Sequence, residues 1–368
     1  MANIKLELVN LRKEFGELIA VDDFSIAIEE SETMALLGPS GCGKTTILNM
    51  IVGLEKPTSG DILIDGKSVL DVPPGQRNVG LVFQDYAVFT HMTVRRNLAY
   101  GLKIRKMKQP EIDREISKVS EFLSLGHQLD RKPSELGASE LQRVAIGRTL
   151  VTNPEILLLD EPLSNLEASM RNQMRRELRR IQGETGQTII YVTHDQIEAL
   201  SLAHQIAVMN FGTLQQYDTA HNVYEYPANR FVGSFLGNPP MNFIKGKLAE
   251  DSGQRVVSSG ESTMPLPAGI IGADMVIGSD VVVGVRPETL HIAAADNPGR
   301  FTAKVQAVEP QGPETVVTAS FGDSSFKVIV PAGTDAETGG AITLAPQSDL
   351  VALFDAETGV RLMNSGGA

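Results

Sequence analysis

Residues 38–46 read Gly38-Pro39-Ser40-Gly41-Cys42-Gly43-Lys44-Thr45-Thr46, and they lie between the apolar stretches 34–37 and 47–51. The spacing matches G-x-x-x-x-G-K-[ST] between a predicted strand and a predicted helix. Glycines let such a loop turn its backbone N–H groups toward an anion, and the helix N-terminus adds partial positive charge. The stretch therefore predicts a phosphate-binding loop, in which Lys44 reaches the β- and γ-phosphates of a nucleotide and Thr45 holds Mg²⁺. An ordinary glycine-rich turn is the alternative, and the strand-then-helix context disfavours it.

The composition indicates a globular chain with more than one domain. At 368 residues the chain exceeds the size at which single cores usually stop growing, so two domains are expected. A formal net charge of -12 opposes a nucleic-acid partner, which needs a basic surface. The first residues lack the apolar core of a signal peptide and no apolar run is long enough to span a membrane, so we expect a cytosolic protein. The single cysteine, Cys42, is expected to fill space in the loop rather than to perform redox chemistry.

The periodicity of apolar residues changes along the chain and predicts the fold class. Alternating apolar residues at the start predict antiparallel strands with one buried face, and Asp65-Gly66 predicts a hairpin turn. Nearly continuous apolar runs at 156–159 and 188–192 predict parallel strands that are covered on both faces. Helical spacing between 111 and 125, with Pro110 at the start, predicts a helical insertion. The predicted architecture is an α/β nucleotide-binding cassette over residues 1–236, with a helical subdomain at about 86–150, followed by a small all-β domain over 237–368.

Two predicted strand ends carry polar residues that suit phosphate chemistry. Asp160 and Glu161 end the first strand, where Asp160 is placed to hold Mg²⁺ through water and Glu161 to orient or deprotonate an attacking water. His194 follows the next predicted strand. Taken alone, the two acids also fit a solvated turn, and a lone histidine is more often structural than catalytic.

The order of these motifs resembles that of the ATP-binding cassette family, in particular the ATPase subunits of sugar and polyol importers. The resemblance spans almost the whole chain and includes, in the family's order, the phosphate loop, Gln84, 142–148, the strand-end acids, 164–166 and His194. It implies that Phe15 stacks on adenine, although Phe15 alone would be read as an ordinary core aromatic. It also implies that Gln84 senses the γ-phosphate and joins the metal site, and that His194 contacts the γ-phosphate.

The resemblance further implies an assembly with ATP and Mg²⁺ as cofactors. Two cassettes would work with two integral membrane permease subunits, whose short helices would dock around Tyr86 to Tyr100 and on the helical insertion. A solute-binding protein would be an indirect partner, and the chain would lie at the cytoplasmic face of the inner membrane. The stretch 283–288 resembles part of the family's oligonucleotide-binding-like regulatory domain. The expected cargo is a sugar, glycerol or glycerol phosphate, and no residue here chooses among them.

The signature motif departs from the family pattern. Where the family has L-S-G-G-Q, which touches the γ-phosphate held by the opposite cassette, this chain has Leu136-Gly137-Ala138-Ser139-Glu140. Losing one hydrogen bond to a charged group costs about 1.5 to 3 kcal/mol, and the Glu140 carboxylate adds repulsion. Glu167 also stands where the family usually has Asp, in a loop that reaches the opposite site. These changes favour pairing with a different ATPase that carries an intact signature; a homodimer in which Ser139 and the helix N-terminus suffice is the alternative.

Two rival functions follow from the same sequence. The first is a nucleotide-gated structural subunit that hydrolyses little ATP, which Glu161 and His194 disfavour. The second is a soluble cassette that acts in translation or repair, which the acidic surface and the importer-like C-terminal part disfavour.

Overall fold

The computed structural model describes residues 3–267, 270, 276–294, 297–347 and 350–362. Contacts divide the chain into two units, Met1–Ala220 and His221–Ala368, which are described separately. The division between the units, after Ala220, lies upstream of the domain boundary that the sequence predicts after residue 236. The predicted boundary therefore stays a prediction. Within the described residues, no helix is both long enough and apolar enough to cross a membrane.

The first unit alternates strands and helices. In chain order its elements are β1 (Ile4–Phe15), β2 (Leu18–Glu29), β3 (Thr33–Leu37), α1 (Lys44–Val52), β4 (Ser59–Ile64), β5 (Lys67–Ser68), β6 (Val79–Val82), α2 (Val94–Ile104), α3 (Gln109–Phe122), α4 (Ala138–Leu150), β7 (Ile156–Asp160), α5 (Ala168–Thr185), β8 (Thr188–Thr193), α6 (Gln196–Leu202), β9 (Gln205–Asn210) and β10 (Thr213–Thr219). One antiparallel sheet has the order β2-β1-β4-β5, and a larger sheet has the order β10-β9-β3-β8-β7-β6. The predicted antiparallel start, the hairpin at Asp65-Gly66 and the predicted parallel strands are therefore confirmed.

The parallel strands of the larger sheet bring the functional loops together. Strand β3 lies between β8 and β9, and every residue of β3 and β8 is buried, because helices cover both faces. Leu37 pairs with Thr193, and Asp160 pairs with Val192, so these strands end at the same level. The loops that follow β3, β7 and β8 therefore emerge side by side at one edge.

The predicted helical insertion is confirmed by α2, α3 and α4. Pro110 lies in the first turn of α3, where its missing N–H costs nothing. The apolar faces of the three helices share a core that includes Leu98, Ile116 and Val144, all at most 1% exposed. The insertion is thus a packed subdomain, with short 3-10 turns at Gly126–Gln128 and Pro133–Glu135 between α3 and α4.

The second unit is mostly β, as predicted, after two short helices. Its elements are α7 (Ala220–Glu225), α8 (Arg230–Phe235), β11 (Asn242–Asp251), β12 (Gln254–Ser259), β13 (Ser262–Pro265), β14 (Asp280–Val285), β15 (Leu290–Ile292), β16 (Phe301–Pro310), β17 (Glu314–Phe321), β18 (Ser324–Pro331), β19 (Ala341–Pro346) and β20 (Ala352–Asp355). Two five-stranded sheets have the orders β13-β12-β11-β14-β20 and β15-β19-β16-β17-β18. They share one core, in which Phe301 packs edge-on against Phe321 at 5.5 Å between ring centroids.

One buried arginine makes several of the contacts that join residues 221–236 to the rest of this second unit. Arg286 is 2% exposed, and its guanidinium donates to the carbonyl oxygens of Tyr224 (2.6 Å), Gly233 (3.2 Å) and Leu236. It also lies 4.0 Å from the centre of the Tyr224 ring. Burial lowers the pKa of this guanidinium, and the carbonyls and the ring compensate for part of its desolvation. The β-rich domain thus holds α7 and α8 against itself.

Candidate nucleotide site

The loop between β3 and α1 has the geometry of a phosphate cradle. Gly43 has φ = 102°, and a Cβ atom at that position would meet the Ala20 carbonyl oxygen at 2.4 Å. A Cβ at Gly38 would lie 2.5 Å from the Met209 carbonyl oxygen. Only glycine therefore fits at these two positions. The loop leads directly into the N-terminus of α1, where backbone N–H groups favour the binding of a phosphate.

Lys44 lies inside this loop. Its side chain is buried, and Nζ donates to the carbonyl oxygens of Gly38 (2.8 Å) and Pro39 (2.9 Å), so the ammonium group is held where phosphates would bind. The Cys42 thiol lies 3.8 Å from the same nitrogen. Burial raises the pKa of this thiol and outweighs the opposing attraction of Lys44. A neutral, buried thiol fits the expected space-filling role.

Thr45 and Asp160 lie next to each other, as a shared metal site requires. The Thr45 hydroxyl is near enough to the Asp160 carboxylate to lower its pKa. Burial, followed by the charge of Glu161, raises the pKa of Asp160, while Thr45 and Lys44 act in the opposite direction. Hydroxyl and carboxylate oxygens are the donors that Mg²⁺ prefers, and this ion usually completes its shell with phosphate and water. The donor set at this edge therefore fits Mg²⁺.

Glu161 brings the remaining predicted catalytic residues together. Its Oε1 atom lies 3.2 Å from His194 Nδ1, and its Oε2 atom accepts from Gln84 Nε2 at 3.3 Å. The residue has φ = 44°, a left-handed conformation that costs an L-residue on the order of 1 to 2 kcal/mol. Its N–H donates to the Val192 carbonyl oxygen at 3.0 Å, which holds this conformation in place. Strain of this kind is typical of residues that a fold positions for function.

Ser164 and Asn165 support Gln84, a role that the sequence pattern does not predict. The Ser164 hydroxyl donates to the Glu161 carbonyl oxygen at 2.9 Å and accepts from Gln84 Nε2 at 3.3 Å. The Asn165 amide donates to the Gln84 carbonyl oxygen at 2.9 Å. The sequence places these residues in the 164–166 motif, three positions after Glu161, but its pattern does not indicate their contacts with Gln84.

Glu198, which no motif marks, bonds to the segment that carries His194. It is 3% exposed, and its Oε2 atom accepts from both the Tyr191 hydroxyl (2.7 Å) and the Thr193 hydroxyl (2.8 Å). The Thr193 oxygen in turn accepts from the Asp195 N–H at 2.9 Å, so the segment that carries His194 is bonded on both sides. Burial raises the pKa of the Glu198 carboxyl, and the charge of Asp195 acts in the same direction.

Phe15 lies at the other end of the cleft that leads from the phosphate loop. The cleft has a volume of about 410 Å³ and extends from Lys44 and Thr45 to Phe15. The Phe15 ring is 46% exposed, and the Lys13 ammonium lies 4.7 Å from its centre. An exposed ring that lines the same cleft as a phosphate loop is suited to stack on a base.

The altered signature motif forms the N-terminus of α4. Glu140 turns back on its own helix, where Oε2 accepts from the Gly137 N–H at 2.9 Å. Its other oxygen accepts from the Gln128 amide. A side-chain carboxylate therefore already occupies the N-terminus of the helix, where the family would present donors to a phosphate.

The strand-loop-helix cradle, the strand-end acids and the histidine define a P-loop nucleoside triphosphatase. Residues 21–164 match the ABC transporter family, residues 237–290 match the MalK OB fold domain and residues 283–354 match the TOBE domain. The chain belongs to the ABC transporter family and is an ATPase of the ATP-binding cassette type. The predicted family and the predicted fold class are confirmed.

Relatives with similarity along nearly the whole chain support this assignment. The chain is 42% identical to the trehalose/maltose import ATP-binding protein MalK of Thermococcus litoralis, covering 98% of this chain and 99% of that protein. It is 41% identical to the sn-glycerol-3-phosphate import ATP-binding protein UgpC of Cereibacter sphaeroides (98% and 100%) and 41% identical to the oligosaccharides import ATP-binding protein MsmX of Bacillus subtilis (93% and 95%). Among solved structures, cbiO1 of Clostridium perfringens, part of the ABC transporter complex cbiONQ, superimposes with a TM-score of 0.57 at 28% identity, covering 60% of this chain and 90% of that one.

Proposed function

We propose that this chain binds ATP with Mg²⁺ and hydrolyses it to drive the import of a solute through integral membrane permease subunits. The observation that carries the proposal is the convergence of Gln84 and His194 on the Glu161 carboxylate, beside the phosphate loop. The relatives are import ATP-binding proteins for oligosaccharides, for trehalose or maltose, and for sn-glycerol-3-phosphate, and they support a sugar or a glycerol phosphate as cargo. The chain would then act at the periphery of the membrane, on its cytoplasmic face.

Binding and hydrolysis use different parts of the site. The loop amides and Lys44 hold the phosphates, while Phe15 stacks on adenine. Thr45, Asp160 and Gln84 are the residues that would hold Mg²⁺, which would supply positive charge to neutralise the phosphates. Because the Gln84 amide nitrogen donates to Glu161, its oxygen is the atom that remains for this role.

Glu161 is the proposed base or orienting group for the attacking water. Its carboxylate accepts the water proton or fixes the water's lone pair toward the γ-phosphorus, and His194 contacts the γ-phosphate from the end of β8. The strained backbone of Glu161 and the bond from Ser164 to its carbonyl fix the carboxylate relative to Gln84. Gln84 precedes the segment 86–100 on which we expect the permease helices to dock, so its position can report phosphate occupancy to them.

We further propose that the working dimer contains a different ATPase with an intact signature. The evidence is the Glu140 carboxylate, which takes the Gly137 N–H that a partner's γ-phosphate would otherwise meet. Replacing one such donor with a carboxylate weakens closure over the partner's nucleotide by roughly tenfold or more. The site built on this chain's own loop retains all of its residues, so one competent site and one impaired site would result.

A Glu161→Gln variant in the complex purified gently from membranes tests hydrolysis directly. General bases contribute about 10² to 10⁴ in rate, so turnover should fall at least about a hundredfold while ATP binding persists. Glu184→Gln is the matched control, because Glu184 is an exposed partner of Arg180 and lies on the surface of α5. Unchanged turnover in Glu161→Gln would favour the rival function, a structural subunit that is gated by nucleotide and hydrolyses little ATP.

The same purification tests the pairing. Identification of the co-eluting chains should reveal permeases and a second cassette protein with an intact signature. Recovery of this chain as the only cassette, together with turnover by the purified chain that matches that of the complete transporter, would rule out the heterodimer.

A further inference from the structure

The turn between β9 and β10 contains an unusual residue. Asn210 pairs with Thr213, so Phe211 and Gly212 form a two-residue hairpin turn with φ values of 44° and 81°. Turns with two positive φ values favour Asn, Asp or Gly at the first position, because larger side chains clash with the backbone. A phenylalanine at this position is therefore disfavoured by the backbone, and its ring needs another explanation.

Phe211 is also the most exposed large apolar side chain in the described part of the chain, at 89%. Its backbone is fixed beside the phosphate loop, because the Gly212 N–H donates to the Cys42 carbonyl oxygen at 3.2 Å and the Gly212 carbonyl accepts from the Asp22 N–H at 2.9 Å. The residue lines the nucleotide cleft together with Phe15, Leu18 and Ile19, which are themselves 46%, 65% and 42% exposed. An apolar rim thus surrounds the part of the cleft beyond the phosphates.

The environment of Phe15 leaves room for a second aromatic contact. Lys13 lies over the Phe15 ring and is held there by Glu55, at 3.0 Å, and by the Lys56 carbonyl oxygen, at 2.8 Å. The ammonium group occupies one face of the ring, so a base stacks on the other face. The outer face of that base then remains exposed to water unless a second apolar group covers it.

We infer that Phe211 is a nucleotide-binding residue that supplies a second aromatic contact to the nucleoside half of ATP. The strained turn keeps a bulky ring at the edge of the cleft, at a position where a glycine or an asparagine would form the hairpin more easily. Contact between a base and an aromatic ring depends little on the identity of the base, so Phe211 adds affinity for nucleoside triphosphates rather than selectivity for adenine. This role is additional to that of Phe15.

The Phe211→Asn variant tests the inference without harming the fold, because asparagine tolerates the left-handed conformation. Stacking is worth about 1 to 3 kcal/mol per base, so the Kd for ATP should rise at least about fivefold, and the Kd for GTP should rise similarly. The Kd for inorganic tripolyphosphate, which has no nucleoside, should not change. Ile292→Asn, a change at an exposed position in the second unit, is the control and should leave all three Kd values unchanged.

A Phe211→Trp variant gives an independent readout. The sequence contains no tryptophan, so the indole at this position is the only such fluorophore in the chain. Its emission should change on addition of ATP but not of tripolyphosphate, and its ATP affinity should match that of the parent. An ATP affinity of Phe211→Asn within twofold of the parent would overturn the inference, and so would equal weakening of ATP and tripolyphosphate. Unchanged ATP affinity with impaired assembly of the transporter would assign the ring to a protein contact instead.

Discussion

The buried carboxyl group of Glu198 gives the most detailed prediction. Both of its hydrogen bonds end on one oxygen, Oε2, which accepts from the hydroxyls of Tyr191 and Thr193. Glutamine can present its single carbonyl oxygen to both hydroxyls, so Glu198→Gln should preserve this arrangement. Alanine leaves two buried hydroxyls without an acceptor, each at about 1 to 3 kcal/mol, and removes buried side-chain atoms. We therefore expect Glu198→Ala to lose about 3 to 5 kcal/mol of stability.

The same group links stability to pH. Burial raises the pKa of Glu198 above its ordinary value of 4.5, so the folded state binds a proton that the unfolded state has released. The stabilisation from this proton is complete below pH 4.5 and is lost as the pH rises through the raised value. Neighbouring charges, Asp195 and Arg171, are the same in the glutamine variant. The parent should therefore lose stability relative to Glu198→Gln as the pH rises above 4.5.

Thermal and urea unfolding at several pH values measure both effects. For a unit of this size, about 1 kcal/mol corresponds to roughly 2 to 4 °C in Tm, so Glu198→Ala should melt at least about 6 °C lower. Because Glu198 holds the segment that carries His194, turnover should fall in Glu198→Ala and recover in Glu198→Gln. A stability difference between the parent and Glu198→Gln that does not vary with pH would refute the linkage. Alanine-variant stability equal to that of the parent would refute the hydrogen-bond argument.

Three further predictions concern other parts of the molecule. Arg286→Met removes the hydrogen bonds to three carbonyls, of which Gly233 keeps the Met241 N–H as a donor, so we expect a loss of about 3 kcal/mol and faster hydrogen exchange in residues 221–236. Exchange as slow as in the parent would show that Arg286 does not hold these residues. Glu140→Gln removes a negative charge that stabilises the N-terminus of its helix by about 0.3 to 1 kcal/mol, so Tm should fall slightly. The ATP-dependent dimerisation of the purified chain, measured by sedimentation, should strengthen roughly tenfold. Unchanged dimerisation would contradict the proposed repulsion. Lys44→Ala should weaken ATP binding by roughly tenfold or more in calorimetry and abolish uptake, and retention of both would disprove the phosphate-loop assignment.

The sequence predicted the fold well where local patterns are strong. Fully apolar strands such as 156–159 and the helical period of 111–125 leave few alternatives, because burial of one face or of both faces dictates the period. The grouping of residues 221–236 with the β-rich unit depends on long-range contacts that have no local pattern, such as those of Arg286 with Tyr224 and of the Arg230 N–H with the Gly359 carbonyl oxygen. Such contacts are determined by tertiary packing and are not visible in the spacing of residues.

The candidate site likewise combines residues that the sequence predicts with contacts that only the folded structure shows. Residues in fixed motifs, such as Lys44 and Glu161, could be named from the sequence because their chemistry requires a set spacing. The positive φ of Glu161, the support from Ser164 and the buried Glu198 arise from the packing of separate strand ends. Phe211 follows no motif at all, and only its exposure and its backbone conformation distinguish it.

The central claim is that Glu161 and His194, whose side chains are 3.2 Å apart, act on the γ-phosphate and its attacking water as one unit. A double-mutant cycle of Glu161→Gln and His194→Ala, measured as ATP turnover in the complete transporter complex, tests it most directly. Groups that act as a unit give strongly non-additive losses, so the double variant should be no slower than the slower single variant, within about threefold. Losses that multiply, so that the double variant falls by the product of the two single effects, would contradict the account.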